Sequence, residues 1–346
     1  MSEVVEFVKA VLASRSFTRF FSGESTSLPG HGPISLKVKS VRPFTRSEGY
    51  RLVKHSICTI VETESGLLGY GYGESDFELL ALQKSIAEGV ERCIFRTAKQ
   101  ADPSILTSNG WAAHLTQKKA RQSAMVELLE RDTSLVHWLS ETSYTEILSD
   151  SWPEKLKYWA DDELSRAPKF NKLRILVSHL GHVSTAATVI HDTSGFAFVS
   201  QACSNSLSSA VSKALAETCR IADLSSRVTG STSTNLEAQS WSPEEHIAFY
   251  AKKEPLPEWL YGKKATFQLA DSLWRSPDFR KTTELNVGFS DYHCGPLFVA
   301  HASSPDLQSL FFGTTDQAVS NGWINSERVK SFCGNRGVSP LPHFVP

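Results

Sequence analysis

The chain has 346 residues, of which 40% are hydrophobic and 21% are charged, and its formal net charge is −1 at neutral pH. This size and composition predict one large or two ordinary soluble domains, with a core that needs no disulfides. The near-zero charge, without a run of Lys or Arg, excludes binding to nucleic acid or to a membrane surface through long-range attraction.

No stretch of the sequence is apolar enough to predict a membrane span or a secretory signal. The six cysteines are scattered, and no close pair has the spacing of a zinc site. We therefore expect reduced thiols in a cytoplasmic protein.

The first predicted element is an amphipathic helix over Ser2–Phe21, followed by a Ser-, Gly- and Pro-rich loop over Ser22–Pro33. Tyr50–Thr63 is rich in β-branched residues and predicts a strand, and a second strand begins with Leu67–Tyr72. Apolar residues at helical spacing then predict a helix over Phe77–Phe95.

The rest of the chain predicts further strands and long helices. A helix is expected over Gln117–Glu141 and another over Ser208–Leu224. Strands are expected over Leu173–Val177, Thr188–His191, Phe196–Ser200 and Leu297–His301, and an exposed loop over Arg227–Trp241. The alternation predicts a mixed α/β fold in which β-sheets are flanked by long helices.

One motif occurs on both of the first two long helices. Each copy has two glutamates three residues apart and an arginine next to the second one; the copies are Glu88-x-x-Glu91-Arg92 and Glu127-x-x-Glu130-Arg131. On a helix these side chains share one face, where the like charges repel. A single copy usually forms a solvated salt bridge. Two copies, and a third helix with Glu217 three residues before Arg220, favour a shared cation such as Mg²⁺.

A glycine-rich segment, Gly69-Tyr70-Gly71-Tyr72-Gly73, precedes the first motif helix. The glycines would allow a close approach of the backbone to phosphate, but they are equally typical of a strand and its turn. The segment is neither a Walker loop nor a dinucleotide-binding fingerprint.

Together, the ordered motifs resemble those of the YcaO-domain family. The resemblance runs from about Thr59 to Pro346 and rests on Gly71–Ser75 with Ser85–Arg92, Ser108–Ala113 with Glu127–Asp132, Ala214–Arg220, His301–Gln308 and the proline-rich tail. It implies a single large YcaO-like domain over 46–346, preceded by an N-terminal helix and loop segment over 1–45.

The resemblance also implies an activity and its cofactors. Enzymes of this family use ATP and Mg²⁺ to phosphorylate a peptide-backbone amide oxygen, and a nucleophile then attacks the activated carbon. In azoline formation the nucleophile is a Cys, Ser or Thr side chain of a ribosomally made precursor peptide. In relatives it is a sulfide or a backbone amide, which gives a thioamide or an amidine. A nucleotide-binding interaction subunit without turnover is the alternative from another class.

By the same resemblance, residues of three helices receive roles at the site. The implied magnesium ligands are Glu88, Glu91, Glu127, Glu130 and Glu217. The implied nucleotide contacts are Ser85, Arg92, Arg131 and Arg220. Carboxylate and phosphate oxygens suit Mg²⁺, and the planar guanidinium suits phosphate.

The tail and the partners complete the expectation. Pro340, Pro342 and Pro346 form the tail that lies in the active site of azoline-forming relatives, where a terminal carboxylate would act as a base. The expected partners are the precursor peptide, a separate leader-binding subunit (E1-like or similar) and a flavin dehydrogenase, and the sequence leaves open whether the chain forms a homodimer.

Four positions depart from the family pattern. Tyr72 stands where many relatives have Lys, His114 where Gly is usual and Arg220 where Gln is common. In the tail, the middle proline of the final triplet is displaced.

Overall fold

The computed structural model describes residues 20–21, 36–43, 55–166, 170–180, 182–227, 246, 256–277, 285–294, 297–333, 338–340 and 343. The fold divides into two compact units. Unit 1 comprises Met1–Arg46, Arg51–Leu128 and Val287–Ser304, and unit 2 comprises Ser47–Tyr50, Leu129–Asn286 and Pro305–Pro346.

The described elements are given in chain order. The strands are β1 (Phe20–Phe21), β2 (Leu36–Pro43), β3 (His55–Thr63), β4 (Leu68–Ser75), β5 (Trp111–His114), β6 (Tyr144–Ile147), β7 (Phe170–Ser178), β8 (Thr185–Asp192), β9 (Ala197–Cys203), β10 (Tyr261–Ala265), β11 (Gly288–Cys294) and β12 (Leu297–Ser303). The α-helices are α1 (Glu78–Ala101), α2 (Gln117–Leu139), α3 (Glu154–Arg166), α4 (Leu207–Arg227), α5 (Phe267–Ser272), α6 (Thr315–Ser320) and α7 (Ser326–Cys333), and short 3₁₀ turns cover Ser149–Ser151 and Glu258–Leu260.

Unit 1 is built on two antiparallel sheets. One has the order β1-β2-β3-β4 and the other the order β11-β12-β5, and helix α1 contacts strands of both. The apolar stripe of α1, including Leu82, Ile86, Val90 and Ile94, is buried in the core of this unit. Burial of such a stripe is the main source of helix stability in proteins, and the sequence prediction of this helix face is confirmed.

Alternate glycines on β4 determine how closely α1 packs against it. A Cβ atom added at Gly69, Gly71 or Gly73 would collide with a backbone carbonyl oxygen of the helix. Any side chain at these positions would push α1 off the strand. The glycine-rich segment is therefore a strand whose glycines face the motif helix.

Unit 2 contains a five-stranded sheet of order β10-β6-β7-β8-β9. Helix α4 packs on β8 and β9, where the hydroxyls of Thr188 and Thr218 lie 2.7 Å apart. A second apolar cluster includes Trp138, Tyr144 and Leu176. The C-terminal residues of α2 also pack with α6 and α7.

The mixed α/β prediction is confirmed, with differences at particular elements. Helices α1, α2 and α4 occur where they are predicted, although α1 continues to Ala101. The sequence analysis does not predict β2, which pairs with β3 and extends the sheet within the first 45 residues. Strand β2 lies between β1 and β3, and its alternation of apolar and charged residues covers only Leu36–Lys39, so the period-two signal is too short to stand out in the sequence.

The N-terminal prediction is corrected at its end. Phe20 and Phe21, the last residues of the predicted helix, form a strand paired with Lys37 and Leu36. The rest of that helix and the loop over Ser22–Pro33 lie outside the described residues, as does the predicted loop after Arg227.

Within the ranges that the structure covers, no helix combines the length and apolarity that a bilayer crossing requires. Cys58, Cys93, Cys203, Cys219 and Cys294 form no disulfide.

Candidate functional site

The first carboxylate cluster lies in unit 1 and consists of Glu88, Glu91 and Glu127 with Arg92. Glu88 accepts a hydrogen bond of 2.8 Å from the backbone N–H of Tyr72, on the edge strand β4. Its other carboxylate oxygen lies 3.7 Å from an Arg92 nitrogen. The edge-strand bond therefore fixes one oxygen of Glu88 and leaves the other facing the arginine.

Glu91 lies one turn further along α1, and its carboxyl has a strongly shifted pKa. Burial raises its pKa well above its usual range; Arg92 opposes the change, while the charges of Glu127 and Glu88 add to it. Its carboxyl also accepts a hydrogen bond from the backbone of Ala113 on the edge strand β5. Buried like charges of this kind are stabilised by a cation.

Arg92 is oriented by a second partner in addition to the glutamates. Its guanidinium donates a hydrogen bond to the hydroxyl of Ser108 and lies 4.0 Å from Glu91. The Arg92 side chain is about one-third exposed, so it can meet an anion from solvent.

The second carboxylate cluster lies in unit 2 and consists of Glu130 and Glu217 with Arg131, Arg220 and Lys213. Glu130 accepts a hydrogen bond of 2.7 Å from the backbone N–H of Cys203, the last residue of edge strand β9. Its other oxygen lies 3.4 Å from Arg131. Burial raises the pKa of Glu130, Glu217 adds to the shift, and Arg131, the Cys203 N–H and Lys213 oppose it.

Arg220 and Glu217 form an ion pair one turn apart on α4. The Glu217 side chain is 37% exposed, whereas those of Glu88, Glu91 and Glu130 are 25%, 14% and 13% exposed. Many relatives have Gln at the position of Arg220, and a neutral Gln could not form this ion pair with Glu217.

Sequence reasoning missed Lys213, which is four residues before Glu217 and close enough to lower the pKa of Glu130. The i, i+4 spacing of Lys213 and Glu217 on α4 was the available signal. It is a weak one, since such pairs are common on exposed helix faces.

Two residues of the motifs, Ser85 and Asp132, are buried and bonded to residues outside the two carboxylate clusters. Ser85 is fully buried, and its hydroxyl lies 2.6 Å from that of Thr59 and donates to the Leu82 carbonyl at 3.0 Å. Asp132 is also fully buried, where its carboxylate forms a bidentate ion pair with Arg328. Both hold elements together, and a nucleotide contact by Ser85 stays a prediction.

The proline-rich tail is anchored at two described points. The Ser339 N–H donates to the carbonyl of Leu139, the last residue of α2, at 2.9 Å. His343 is buried, and its Nε2 donates to the Phe311 carbonyl at 2.6 Å. Pro340 is exposed, and Pro342 and Pro346 lie outside the described residues.

A second buried histidine completes the anchor of the tail. His246 Nδ1 donates to the carbonyl of His343 at 2.8 Å, and its Nε2 accepts from the N–H of Gly313 at 3.0 Å. These bonds require the neutral ring with its proton on Nδ1. Burial lowers the pKa of His246 to about 3, in agreement with that tautomer.

No three His, Cys, Asp or Glu side chains of the described part of the chain are arranged to bind one metal ion as they stand. The chemistry of the donors nevertheless fits magnesium, because carboxylate oxygens are the ligands it prefers and the half-buried first cluster carries more carboxyls than cations. Metal binding by these residues is therefore a proposal.

Comparison with known proteins decides the family. The profile described as YcaO cyclodehydratase, ATP- and Mg²⁺-binding, matches residues 86–290, which is more than half of the chain. The chain belongs to the YcaO family. No curated protein sequence matches it.

Solved YcaO-like structures share the fold at low sequence identity. A heterocyclase in complex with substrate and cofactor is 15% identical (TM-score 0.58), and the match covers 89% of this chain but only 55% of the heterocyclase. YcaO from Methanopyrus kandleri bound with AMPPCP and Mg²⁺ is 14% identical (TM-score 0.53, 98% and 96% covered). The E. coli microcin synthetase McbBCD complex contains a chain that is 12% identical (TM-score 0.53, 78% and 88% covered).

Proposed function

We propose that this YcaO protein is an ATP-dependent cyclodehydratase of a ribosomally made precursor peptide. In the proposed reaction a backbone amide oxygen attacks the γ-phosphate and ADP leaves. A neighbouring Cys, Ser or Thr side chain then attacks the activated carbon. Phosphate departs with the former amide oxygen, which leaves a thiazoline or oxazoline ring.

The observation that carries the nucleotide part of the proposal is the buried Glu91 carboxyl, whose pKa is raised by burial and by Glu88 and Glu127. A bound magnesium ion would offset this repulsion and neutralise triphosphate charge. We assign magnesium binding to Glu88, Glu91, Glu127, Glu130 and Glu217. Arg92, Arg131 and Arg220 are assigned to the nucleotide, because an arginine fork pairs well with phosphate oxygens.

The tail supports the azoline branch of the family's chemistry. A proline-stiffened segment loses little entropy when it is held in a site, and His343 fixes this segment through the Phe311 carbonyl and His246. Pro340, Pro342 and Pro346 are thus proposed as the catalytic tail. Deleting Leu341–Pro346 should stop peptide modification while the stabilisation by Mg-ATP persists. A deletion variant that modifies peptide at the wild-type rate would remove the tail from the mechanism.

We also propose that the chain acts with partners, as the microcin synthetase does in its complex. A separate leader-binding subunit would deliver the precursor peptide, and a flavin dehydrogenase would oxidise the azoline product. We expect weak peptide binding by the isolated chain and a marked gain when the leader-binding subunit is added. Tight leader-dependent binding and full turnover by the purified chain alone would refute the requirement.

The product mass tests the reaction. A precursor peptide encoded beside this chain would be incubated with the protein, the candidate partner and Mg-ATP. Loss of about 18 Da per event means cyclodehydration, and a gain of about 16 Da means thioamide formation, because these are the atoms exchanged after carbonyl activation. Formation of an amidine by a backbone amide is distinguished by fragmentation of the peptide.

One observation favours a candidate from another class. Arg220 occupies the position of a common Gln and pairs with Glu217, which withdraws both side chains from nucleotide chemistry if the pair is permanent. The chain would then be a nucleotide-binding interaction subunit. Stabilisation by Mg-ATP without any ATP hydrolysis, in the presence of peptide and partner, would support that alternative.

A further inference from the structure

A short loop of unit 1 is held rigidly at both ends. On one side, Arg92 donates a hydrogen bond to the Ser108 hydroxyl. On the other, the Gly110 carbonyl accepts from the N–H of Ala302 at 2.8 Å. Gly110 has a φ of +73°, and a Cβ atom there would collide with the Ala302 carbonyl. The backbone of Asn109, between these two anchors, therefore has little freedom to move.

The carboxamide of Asn109 lacks a hydrogen-bond partner for its oxygen in this loop. Asn109 is only 6% exposed, and its Oδ1 atom is buried without a hydrogen-bond partner. An unsatisfied buried amide oxygen costs about 1–3 kcal/mol. A rigid loop that carries such a cost beside an oriented arginine is better explained by a ligand than by packing.

Trp111 Nε1, two residues further along the chain, is likewise buried without a hydrogen-bond partner, whereas the buried hydroxyls of unit 2 lie in different surroundings. Thr185 and Ser200, for example, are fully buried hydroxyls on the β8–β9 ladder of unit 2. A hydroxyl proton rotates to suit its neighbours, whereas the planar amide of Asn109 has its acceptor oxygen and its donor nitrogen on separate atoms. Asn109 is also the residue directly after Ser108, the partner of Arg92.

We infer that the Asn109 carboxamide oxygen accepts a hydrogen bond from the bound nucleotide, an assignment that rests on the ATP use proposed above. Phosphate oxygens accept hydrogen bonds and, when ionised, do not donate them. The matching group is therefore a donor of the nucleoside, either a ribose hydroxyl or the amino group of the purine. Arg92 meets the anionic end of the ligand, and Asn109 recognises the nucleoside.

This inference predicts an unusual pair of effects for one substitution. Asn109→Leu keeps the approximate volume and removes the unsatisfied oxygen, so the melting temperature of the ligand-free protein should stay the same or rise. Mg-ATP should bind about tenfold more weakly, the loss expected for one hydrogen bond in a buried site. A residue that only supports the loop would show the reverse, with a less stable protein and unchanged affinity.

The control is an asparagine whose amide is used by the fold. Asn325 donates to the Pro305 carbonyl at 2.9 Å and accepts from the Arg328 N–H at 3.1 Å. Asn325→Leu should lower the melting temperature and leave Mg-ATP affinity unchanged. Asn109→Ser, a smaller polar replacement, provides a second test should Asn109→Leu fail to fold.

Nucleotide analogues identify the donor. ATP, 2′-deoxy-ATP, 3′-deoxy-ATP and purine riboside triphosphate, which lacks the amino group, would be titrated into wild type and Asn109→Leu with Mg²⁺ present. The analogue that lacks the true donor should bind both proteins equally, since the contact is absent from each. If the substitution weakens all four ligands to the same extent, or weakens none, the inference is overturned. If wild type itself does not bind Mg-ATP, the proposed function fails and not this assignment alone.

Discussion

Each compact unit contains a glutamate whose carboxylate accepts a hydrogen bond from the backbone of an edge strand. The charged side chains around the two glutamates differ. Glu88 accepts the N–H of Tyr72 on β4, and Glu130 accepts the N–H of Cys203 on β9, at 2.8 and 2.7 Å. The carboxylate replaces the missing neighbour strand in both cases. Unit 1 and unit 2 thus share the same kind of hydrogen bond, from the N–H of an edge strand to a glutamate carboxylate.

The charged side chains around these two glutamates differ, which indicates that the hydrogen bond to the edge strand is not their only role. The first carboxylate cluster has three carboxyls and one arginine, whereas the second has two carboxyls with two arginines and Lys213. The first cluster is suited to a cation, and the basic side chains of the second are suited to phosphate. If the bond only protected edge strands, no such difference in charge would be needed.

The sharpest test of this comparison replaces one carboxylate in each cluster. Glu91→Gln should raise the melting temperature of the ligand-free protein, because it removes a buried group that is repelled by Glu88 and Glu127. It should lower ATP turnover by about 100-fold or more, which is about 2.7 kcal/mol. Thermal melts with and without Mg-ATP, together with an ATPase assay, measure both effects.

Glu130→Gln is the matched variant in unit 2. Its amide oxygen can still accept the Cys203 N–H, so we expect a smaller gain in stability and a similar loss of turnover. Full stabilisation by Mg-ATP in both variants would mean that neither carboxylate takes part in binding the metal and the nucleotide.

A second prediction concerns a substitution that disturbs the packing of α1 against edge strand β4 in unit 1 and leaves unit 2 unchanged. Gly71→Ala places a Cβ atom against the Ser85 carbonyl and should push α1 away from β4. We expect a loss of about 3 kcal/mol in the free energy of unfolding, at the upper end of the range for overpacked sites, and weaker Mg-ATP binding. Gly288→Ala is the control, since its added Cβ meets only Ser303 at ordinary contact distance. Equal unfolding midpoints in urea for the two variants would contradict the packing argument.

A third prediction concerns unit 2 at low pH. His137, near the C-terminal end of α2, donates to the Thr142 carbonyl at 2.7 Å and accepts from the Ser178 hydroxyl. Burial lowers its pKa from 6.5 to about 4. The unfolded chain therefore binds the proton more tightly, and stability present above pH 6.5 is lost as the pH falls towards 4.

The loss from His137 alone is at most about 3 kcal/mol, and His246 adds to it in the same direction. Urea midpoints measured from pH 7.5 to 4.5 for wild type and His137→Gln test this. The variant should be less stable at pH 7.5 but lose less on acidification. Parallel curves for the two proteins would show that His137 is not the titrating group.

The smallest expected effect compares the two arginines. Arg92→Lys keeps the charge but loses the fork that binds Ser108, and Arg131→Lys does the same next to Glu130. We expect each to raise the Michaelis constant for ATP by about tenfold, or about 1.4 kcal/mol. Should only Arg131→Lys have an effect, Arg92 would be confined to pairing with Glu88 and Glu91 within α1.

Much of the local structure could be predicted from the sequence. Helical periodicity located α1, α2 and α4, and the repeated spacing placed Glu88 with Glu91 and Glu127 with Glu130 on helix faces. These predictions hold because i, i+3 and i+4 neighbours are determined within a single turn. The family motifs, which are also local segments, identified the YcaO family in the same way.

The tertiary structure alone decided which partners the motif residues have. Nothing near Glu130 in the sequence indicates Cys203, and nothing near Asp132 indicates Arg328 or near His343 indicates His246. Ser85 belongs to the nucleotide motif by its spacing, yet it is buried against Thr59. Such contacts depend on which strand forms the sheet edge and which helix covers it, and long-range packing sets both. The sequence therefore determined which side chains share a helix face, and only the fold decided whether each one meets solvent, a strand edge or another charge.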